Sequence, residues 1–139
     1  MSFVVLYDAC VLYPAPLRDI LLELAISELV AAKWTNAIHD EWIRNLVADR
    51  PELKEKIEKT KGLMDKAVPD AKVENYEPLI ENLSLPDLND RHVLAAAIKC
   101  NAQIIVTYNL KDFPLEVLAD YGMESMHPDE FIEHQLGLS

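Results

Sequence analysis

Two runs of apolar residues in the chain are separated by longer segments whose apolar positions recur at helical spacing. The runs Phe3–Tyr7 and Gln103–Thr107 are continuous and rich in β-branched residues, so each predicts a buried strand of a parallel sheet. Shorter strands are predicted at Lys33–Thr35 and, at a sheet edge, at Glu124–Met126. Helices are predicted over Leu17–Leu29, Ala37–Ala48, Glu52–Ala67, Leu88–Cys100 and Pro128–Gln135. Strands that alternate with helices indicate an α/β fold with a mainly parallel sheet.

Composition narrows the possible functions of this fold. With 13 basic and 24 acidic residues the net charge is −11, which excludes a general basic coat for nucleic acid. It does not exclude a nucleic-acid enzyme, because a bound cation offsets acidic ligands. Three glycines leave no glycine-rich phosphate loop, and two cysteines provide neither a disulfide framework nor a thiolate zinc site. The length of 139 residues and the absence of a long uncharged run predict a single domain, residues 1–139, in the cytoplasm and not in a membrane.

Two acidic residues are predicted at the carboxyl edge of the sheet. Asp8 follows the first strand directly, and Asp112 follows the Gln103–Thr107 strand after a short loop. Ligands of open parallel sheets bind outside the carboxyl ends of the strands, so the fold would bring these two acids to one place. Aspartate also suits strand ends and turns, and a turn role therefore stays open for each of them.

Asp90 is predicted on the inner stripe of the helix Leu88–Cys100, in line with Leu94 and Ala97. A carboxylate on a buried stripe needs a partner or a cation. A capping role is compatible with this, since Asp87 would be the N-cap and Asp90 would lie in the first turn, where the helix dipole favours an acid. We interpret Asp87 mainly as a cap and Asp90 mainly as a functional residue.

Glu41 is predicted at the edge of the apolar stripe that contains Trp42, whereas Asp40 points about 100° away on the same helix. Alone, Glu41 is explained better as a solvated helix acid. Four carboxylates from four separate segments, however, suit Mg²⁺ or Mn²⁺, which are hard cations that prefer oxygen ligands. Such an ion can activate water and stabilise the charge that develops on a phosphodiester.

Other active-site chemistries find less support in the sequence. His39 and His92 each lie two residues from an acid, so on a helix they are predicted to face elsewhere. Capping or surface roles are expected for His127 and His134. A phosphatase of the haloacid-dehalogenase type needs a second acid two residues after the first, and Cys10 occupies that position. A receiver domain would need paired early acids and a late lysine, which the sequence does not show.

Four stretches of the chain share the motifs of one family: Tyr7–Pro14, Trp34–Glu41, Pro86–Ala97 and Val106–Pro114. The last two, with their mutual spacing, are the most specific. Together they resemble the PIN-domain family of metal-dependent ribonucleases, and in particular its small VapC-like members from toxin–antitoxin systems. The resemblance implies a three-layer α/β/α sandwich on a mainly parallel sheet. It also places four acids at the family's acidic quartet, namely Asp8, Glu41, Asp90 and Asp112.

The same resemblance implies an endoribonuclease that uses Mg²⁺ or Mn²⁺. The ion would be held by Asp8, Glu41 and Asp90, directly or through water, and Asp112 would complete the site or position a second ion. Supporting roles fall to Thr107, Asn109 and Asp87. Weak candidates for contacts with RNA phosphates are Arg18, Arg44, Arg91 and Lys111. Surface solubility explains each of these cations better when it is taken alone, and for Arg18 a structural ion pair with Asp19 also stays open.

The expected partners are RNA, an antitoxin protein and a second copy of the chain. Pairing is predicted because four apolar residues of the first and third helices exceed what one small sheet obviously needs, namely Leu22, Ile26, Leu53 and Leu63. A catalytically idle PIN-like module that binds a protein or RNA partner is the alternative. The intact quartet favours the enzyme.

Overall fold

Four parallel strands form the central sheet of the computed structural model, which describes residues 3–137. They are β1 (Phe3–Tyr7), β2 (Val30–Lys33), β3 (Ile104–Val106) and β4 (Glu124–Met126), in the order β2-β1-β3-β4. Strand β1 pairs with both β2 and β3, so it lies in the interior of the sheet. Its last residue, Tyr7, is level with Val106 at the end of β3, and the segments that follow these strands therefore start side by side.

Helices flank this sheet and complete the predicted α/β/α arrangement. Their bounds are α1 Ala9–Leu12, α2 Ala15–Ile26, α3 Asn36–Asp49, α4 Lys54–Ala67, α5 Arg91–Lys99, α6 Leu115–Leu118 and α7 Pro128–Leu136. Short 3₁₀ turns cover Pro51–Leu53, Glu77–Asn82, Leu88–Asp90, Leu110–Asp112 and Ala119–Tyr121. Within residues 3–137 every helix is too short or too polar to span a bilayer.

Two predicted elements in the first third of the chain are shifted along the sequence. Helix α2 ends at Ile26 and not at Leu29, because the chain turns there through Glu28, whose φ of 63° is left-handed. Strand β2 consequently begins at Val30 and ends at Lys33, and the predicted strand Lys33–Thr35 is wrong except for its first residue. Beyond β2, Trp34 makes only an isolated parallel bridge with Lys72.

The predicted helix Leu88–Cys100 consists of two parts. A 3₁₀ turn covers Leu88–Asp90, and the α-helix proper begins only at Arg91. Asp87 caps the turn, since its Oδ1 accepts a hydrogen bond from the Asn89 N–H at 2.9 Å. The capping prediction for Asp87 is thus confirmed, while Asp90 lies just before α5 and makes no side-chain cap bond.

The core holds large aromatic side chains near the sheet and small residues on α5. The middle of α5 is fully buried alanine, Ala95–Ala97, which lets this helix lie close to the strands. Tyr7 stacks on Trp34 at a ring distance of 6.4 Å and donates its hydroxyl to the Leu21 carbonyl at 2.9 Å. Each such buried apolar side chain contributes roughly 1.5–3 kcal/mol relative to exposure.

A buried polar network, here called the Asp65 network, joins α3, α4 and the end of β2. Asp65 Oδ1 accepts hydrogen bonds from Trp34 Nε1 at 2.8 Å and from His39 Nε2 at 3.0 Å. Because Trp42 Nε1 donates to His39 Nδ1 at 3.0 Å, the neutral imidazole carries its proton on Nε2. Lys72 Nζ lies 3.3 Å from Asp65 Oδ2. Burial lowers the pKa of His39, which keeps the ring neutral.

The four apolar residues on which the pairing prediction rests divide into two groups. Leu22 and Leu53 pack against the core and are only partly exposed. Ile26 and Leu63 stand out into solvent, at 48% and 66% exposure. Ile20 and Leu29 of the first predicted helix are exposed as well, at 47% and 48%.

Candidate active site

Asp8 is fixed at the carboxyl end of β1 by hydrogen bonds to both of its carboxylate oxygens. It is the N-cap of α1, and its Oδ1 accepts from the Ala9 N–H at 2.8 Å. Its Oδ2 accepts from the Thr107 hydroxyl at 2.9 Å and lies 3.6 Å from Cys10 Sγ. With 5% exposure, Asp8 is a buried carboxyl group whose pKa is raised by burial, although the hydrogen bonds oppose the rise.

Thr107 links Asp8 to the loop that follows β3. Its fully buried hydroxyl donates to Asp8 and also accepts the Asn109 N–H at 3.0 Å. The backbone strengthens the same junction, since the Asp8 N–H donates to the Val106 carbonyl at 3.1 Å. The structure therefore brings the predicted supporting residue Thr107 onto Asp8, whereas Asn109 contributes its backbone N–H and has an exposed side chain.

Glu41 lies half-buried on α3, within electrostatic reach of Asp8. Burial raises its pKa, the charge of Asp8 raises it further, and the charge of Arg44 opposes the rise. Its Oε1 is 3.9 Å from His92 Nε2. The helix that carries Glu41 is set by Thr35, which caps α3 by accepting the Ile38 N–H at 2.9 Å.

The pKa of Asp90 is affected by the charges of all the other predicted acids. Burial, and after it the negative charges of the other acids, together raise its pKa to about 7. In decreasing order of effect these acids are Asp8, Asp87, Asp112 and Glu41. Each of these four acids is therefore within electrostatic range of Asp90.

The donor set of this region suits a hard divalent cation. Carboxylate oxygens are the preferred ligands of Mg²⁺ and Mn²⁺, and the pKa of Asp90 is raised by burial and by the charges of four other acids. Within residues 3–137, no three Asp, Glu, His or Cys side chains are gathered into a ready-made metal cage. The carboxylates therefore fit the ion by chemistry, in an open arrangement.

Two residues of this region were missed as site residues in the sequence. His92 was predicted to face away from the acids because helical spacing was applied from Asp90. That prediction is wrong, since Asp90 precedes α5 and is not part of it, and His92 lies near Glu41 and Asp8. Cys10 packs between Asp8 and the loop after β3, where its sulfur accepts the Tyr108 N–H at 3.4 Å. Burial raises the pKa of its thiol to about 11, so it stays protonated.

The candidate phosphate contacts are placed differently from one another. Arg18 is 6% exposed, and its Nη1 donates to the Leu12 carbonyl at 2.7 Å and the Tyr13 carbonyl at 3.1 Å. This placement does not suit direct access to a phosphate at the acids. Arg44 and Lys111 are exposed, and Arg91 turns its Nε back to the Leu88 carbonyl at 3.1 Å.

A cleft of about 390 Å³ opens beside Glu41. Asn109 also lines it, as do Ala9 and Cys10, the first two residues of α1 after Asp8. Tyr13 contributes a further part of the lining. The cleft gives a ligand access to Glu41.

A four-stranded parallel sheet with clustered acids beyond its carboxyl edge is accompanied by a direct family match. The family model described as PIN domain matches residues 4–111, and the chain belongs to the PIN-domain family. A relative in Mycobacterium tuberculosis (strain ATCC 25618 / H37Rv), named "Putative ribonuclease VapC50", is 53% identical over 49 residues. That segment covers 35% of this chain and 29% of the relative, so the chain matches well under a third of the relative's length.

Proposed function

We propose that this protein is a metal-dependent endoribonuclease that hydrolyses RNA phosphodiester bonds. The observation that carries the proposal is the position of Asp90, which is partly buried and lies within electrostatic range of the four other acids. Membership of the PIN-domain family and the ribonuclease name of the VapC50 relative support the same activity. We also propose that residues 1–139 form one domain and that the protein acts in the cytoplasm.

Asp8, Glu41 and Asp90 would hold the ion, and Asp112 would complete the site or position a second ion. Bound Mg²⁺ or Mn²⁺ would supply positive charge that activates water and offsets charge on the phosphodiester. Thr107 keeps the Asp8 carboxylate in one orientation through its hydroxyl. Both oxygens of the buried Asp8 carboxylate accept a hydrogen bond, one from the Ala9 N–H and one from the Thr107 hydroxyl, so its position at the edge of the sheet is fixed before a ligand binds.

We further propose that the protein is the toxin of a toxin–antitoxin pair and acts as a homodimer. The VapC name of the relative supports the first part, and the exposed side chains Ile26 and Leu63 support the second. Expression of the wild-type chain in a bacterial host should then arrest growth, while Asp90→Asn should not. Growth arrest by both chains would contradict a toxic ribonuclease activity.

Cleavage of single-stranded RNA with and without divalent metal tests the central proposal. We expect cleavage by the wild-type chain in Mn²⁺ or Mg²⁺, none in EDTA, and none by Asp8→Asn. Asp40→Asn is the matched control, because Asp40 is exposed on the same helix as Glu41 and should be dispensable. RNA binding without any cleavage would instead identify an idle binding module.

A melting curve provides a second readout that does not depend on turnover. A cation that binds only the folded chain raises the free energy of unfolding. At concentrations above the dissociation constant, this gain grows with the logarithm of the cation concentration. Millimolar metal should raise the melting temperature of the wild type but not that of the double variant Asp8→Asn/Asp90→Asn. Equal shifts in both proteins would contradict the proposed ligand set.

A further inference from the structure

A second cleft lies beside Tyr13. Its volume is about 490 Å³, and it is bounded by the start of α2, the end of α3 and the first half of α4. We call it the Arg18 cleft. Its polar lining residues are Tyr13, Arg18, Asp49, Arg50, Lys56 and Thr60. Tyr13 also lines the cleft that contains Glu41, so the two clefts form neighbouring compartments.

The charge of this cleft is opposite to that of the protein. The segment from Arg50 to Lys66 contains six basic and four acidic residues, although the whole chain carries a net charge of −11. Within the cleft, three cationic side chains face a single acid, Asp49, whose carboxylate accepts the Tyr13 hydroxyl. Positive charge is therefore concentrated beside the acidic residues, where it can offset their repulsion of a bound polyanion.

Arg18, one of these three cations, is almost entirely buried. Its guanidinium lies 4.8 Å from the Trp42 ring centre, and its Nη1 is used by two carbonyl groups. Its Nε is buried and has no hydrogen-bond partner among residues 3–137. A buried donor without a partner is costly, and although the charge of Asp19 acts on Arg18, the unpartnered Nε favours an acceptor nearby.

We propose that the Arg18 cleft binds a nucleotide of the RNA strand adjacent to the bond that is cleaved. This inference rests on the proposed ribonuclease function. Arg50 and Lys56 would contact the phosphate, and Tyr13 would provide an aromatic surface between the two clefts. Cationic side chains next to an aromatic ring are the usual way in which proteins bind single-stranded RNA without reading its sequence.

The cleft favours RNA over a peptide because of its charge and its connection to the acids. An RNA strand with one phosphodiester at Glu41 and Asp8 has to continue beyond these carboxylates. The carboxylates repel the neighbouring phosphates of that strand. The Arg18 cleft, which shares Tyr13 with the cleft at Glu41, offers compensating cations. Arg50 already pairs with Glu52 at 2.8 Å, but both side chains are exposed, and such pairs exchange partners at little cost.

Binding of fluorescent single-stranded RNA to the full-length Asp90→Asn chain tests the proposal without turnover. In that background, Lys56→Gln should weaken binding of an oligonucleotide of about eight residues. The expected loss is roughly tenfold, as for one charge-assisted hydrogen bond. The slope of log affinity against log salt should fall by about 0.7, the value for one phosphate contact on a single strand. Arg50→Gln should act in the same direction.

Lys66→Gln is the matched control, because Lys66 is exposed on the same helix and does not line the cleft. It should change neither affinity nor salt slope. A dinucleotide, too short to occupy both clefts, should bind the Lys56→Gln variant and the Asp90→Asn parent chain with equal affinity. Because Lys56 and Arg50 are exposed, their variants should melt like the parent chain.

The outcomes separate the two proposals. If the wild type cleaves RNA while Lys56→Gln and Arg50→Gln keep full affinity and slope, the cleft assignment is wrong and the ribonuclease proposal stands. If these variants instead keep RNA binding but lose a co-purifying protein, the cleft is a protein-docking surface and the RNA assignment is again wrong. A wild type that neither binds nor cleaves RNA overturns both proposals.

Discussion

Thr107 is the side chain on which the orientation of Asp8 depends most directly. Thr107→Val removes the hydroxyl that donates to the buried Asp8 Oδ2 and accepts the Asn109 N–H. We expect a loss of about 1.5–3 kcal/mol in the free energy of unfolding, measured in urea, and a loss of RNA cleavage. Thr107→Ser keeps the hydroxyl and should retain most of both. Equal stability of the two variants would show that the hydroxyl does not hold Asp8.

Asp90 and Asp87 are neighbouring acids with different expected roles. Asp90→Asn should abolish cleavage and, without metal, raise the melting temperature, because it removes a charge that the folded state disfavours. Solvent screens this partly exposed group, so the gain should be at most about 1 kcal/mol. Asp87→Ser should keep most activity, since serine caps nearly as well. Cleavage assays beside metal-free melting curves measure both effects.

Two results would contradict this assignment. Equal loss of cleavage in the two variants would make Asp87 a functional residue as well as a cap. An Asp90→Asn chain that melts lower without metal and still cleaves RNA would make Asp90 structural.

The sequence predicted a residue's role correctly where that role depends only on its immediate neighbours in the chain. It missed the role where this depends on the residue at which a helix begins. The Asp87 cap follows from one turn of chain, and it was predicted correctly. His92 was missed because the start of α5 was placed three residues too early, which reverses the face on which a side chain is expected. The contact between Cys10 and the loop after β3 joins residues almost a hundred positions apart, and no local pattern announces it.

The Asp65 network is the element-scale feature with the clearest pH dependence. Burial raises the pKa of Asp65, but hydrogen bonds from Trp34, His39 and Lys72 lower it more, so the net shift is downward. A lowered pKa in the folded state means that this stabilisation is complete above the ordinary value of 3.8 and is lost as the pH falls below it. Asp65→Asn should therefore destabilise the chain at pH 6 more than at pH 3.

Unfolding in urea at these two pH values measures the effect. Glu58→Gln is a suitable control, because Glu58 is exposed on the same helix and should change stability little at either pH. A destabilisation by Asp65→Asn that is equal at both pH values would contradict a role for the ionised carboxylate.

Element types were predicted better than element ends. The bounds of β1 and β4 agree with the sequence prediction, because continuous or edge-strand patterns end at clear polar or turn residues. The end of α2 was misplaced because Glu28 adopts a left-handed backbone that is rare for glutamate, which no propensity indicates. Lys33–Thr35 was predicted as a strand from its composition, but only the pairing with β1 decides that the strand spans Val30–Lys33.

The whole molecule is predicted to pair with a second copy of itself. Ile26 and Leu63 remain exposed, and covering them would remove apolar surface from water. Sedimentation at micromolar concentration should show twice the chain mass of 15.8 kDa, and Leu63→Lys should shift the protein toward the monomer. Lys59→Gln, an exposed change on the same helix, should leave the dimer intact. A wild-type species of 15.8 kDa would contradict the prediction.

The link between Asp8 and Thr107 also has a consequence for protein synthesis. Their hydrogen bond joins residues 99 positions apart, and β1 pairs with a strand that begins only at Ile104. A ribosome makes the chain from its N-terminus, so a growing chain presents Asp8 and Glu41 long before the residues that orient and complete their surroundings. If the chain cleaves RNA as proposed, a nascent copy stays inert toward the message and the ribosome that are producing it.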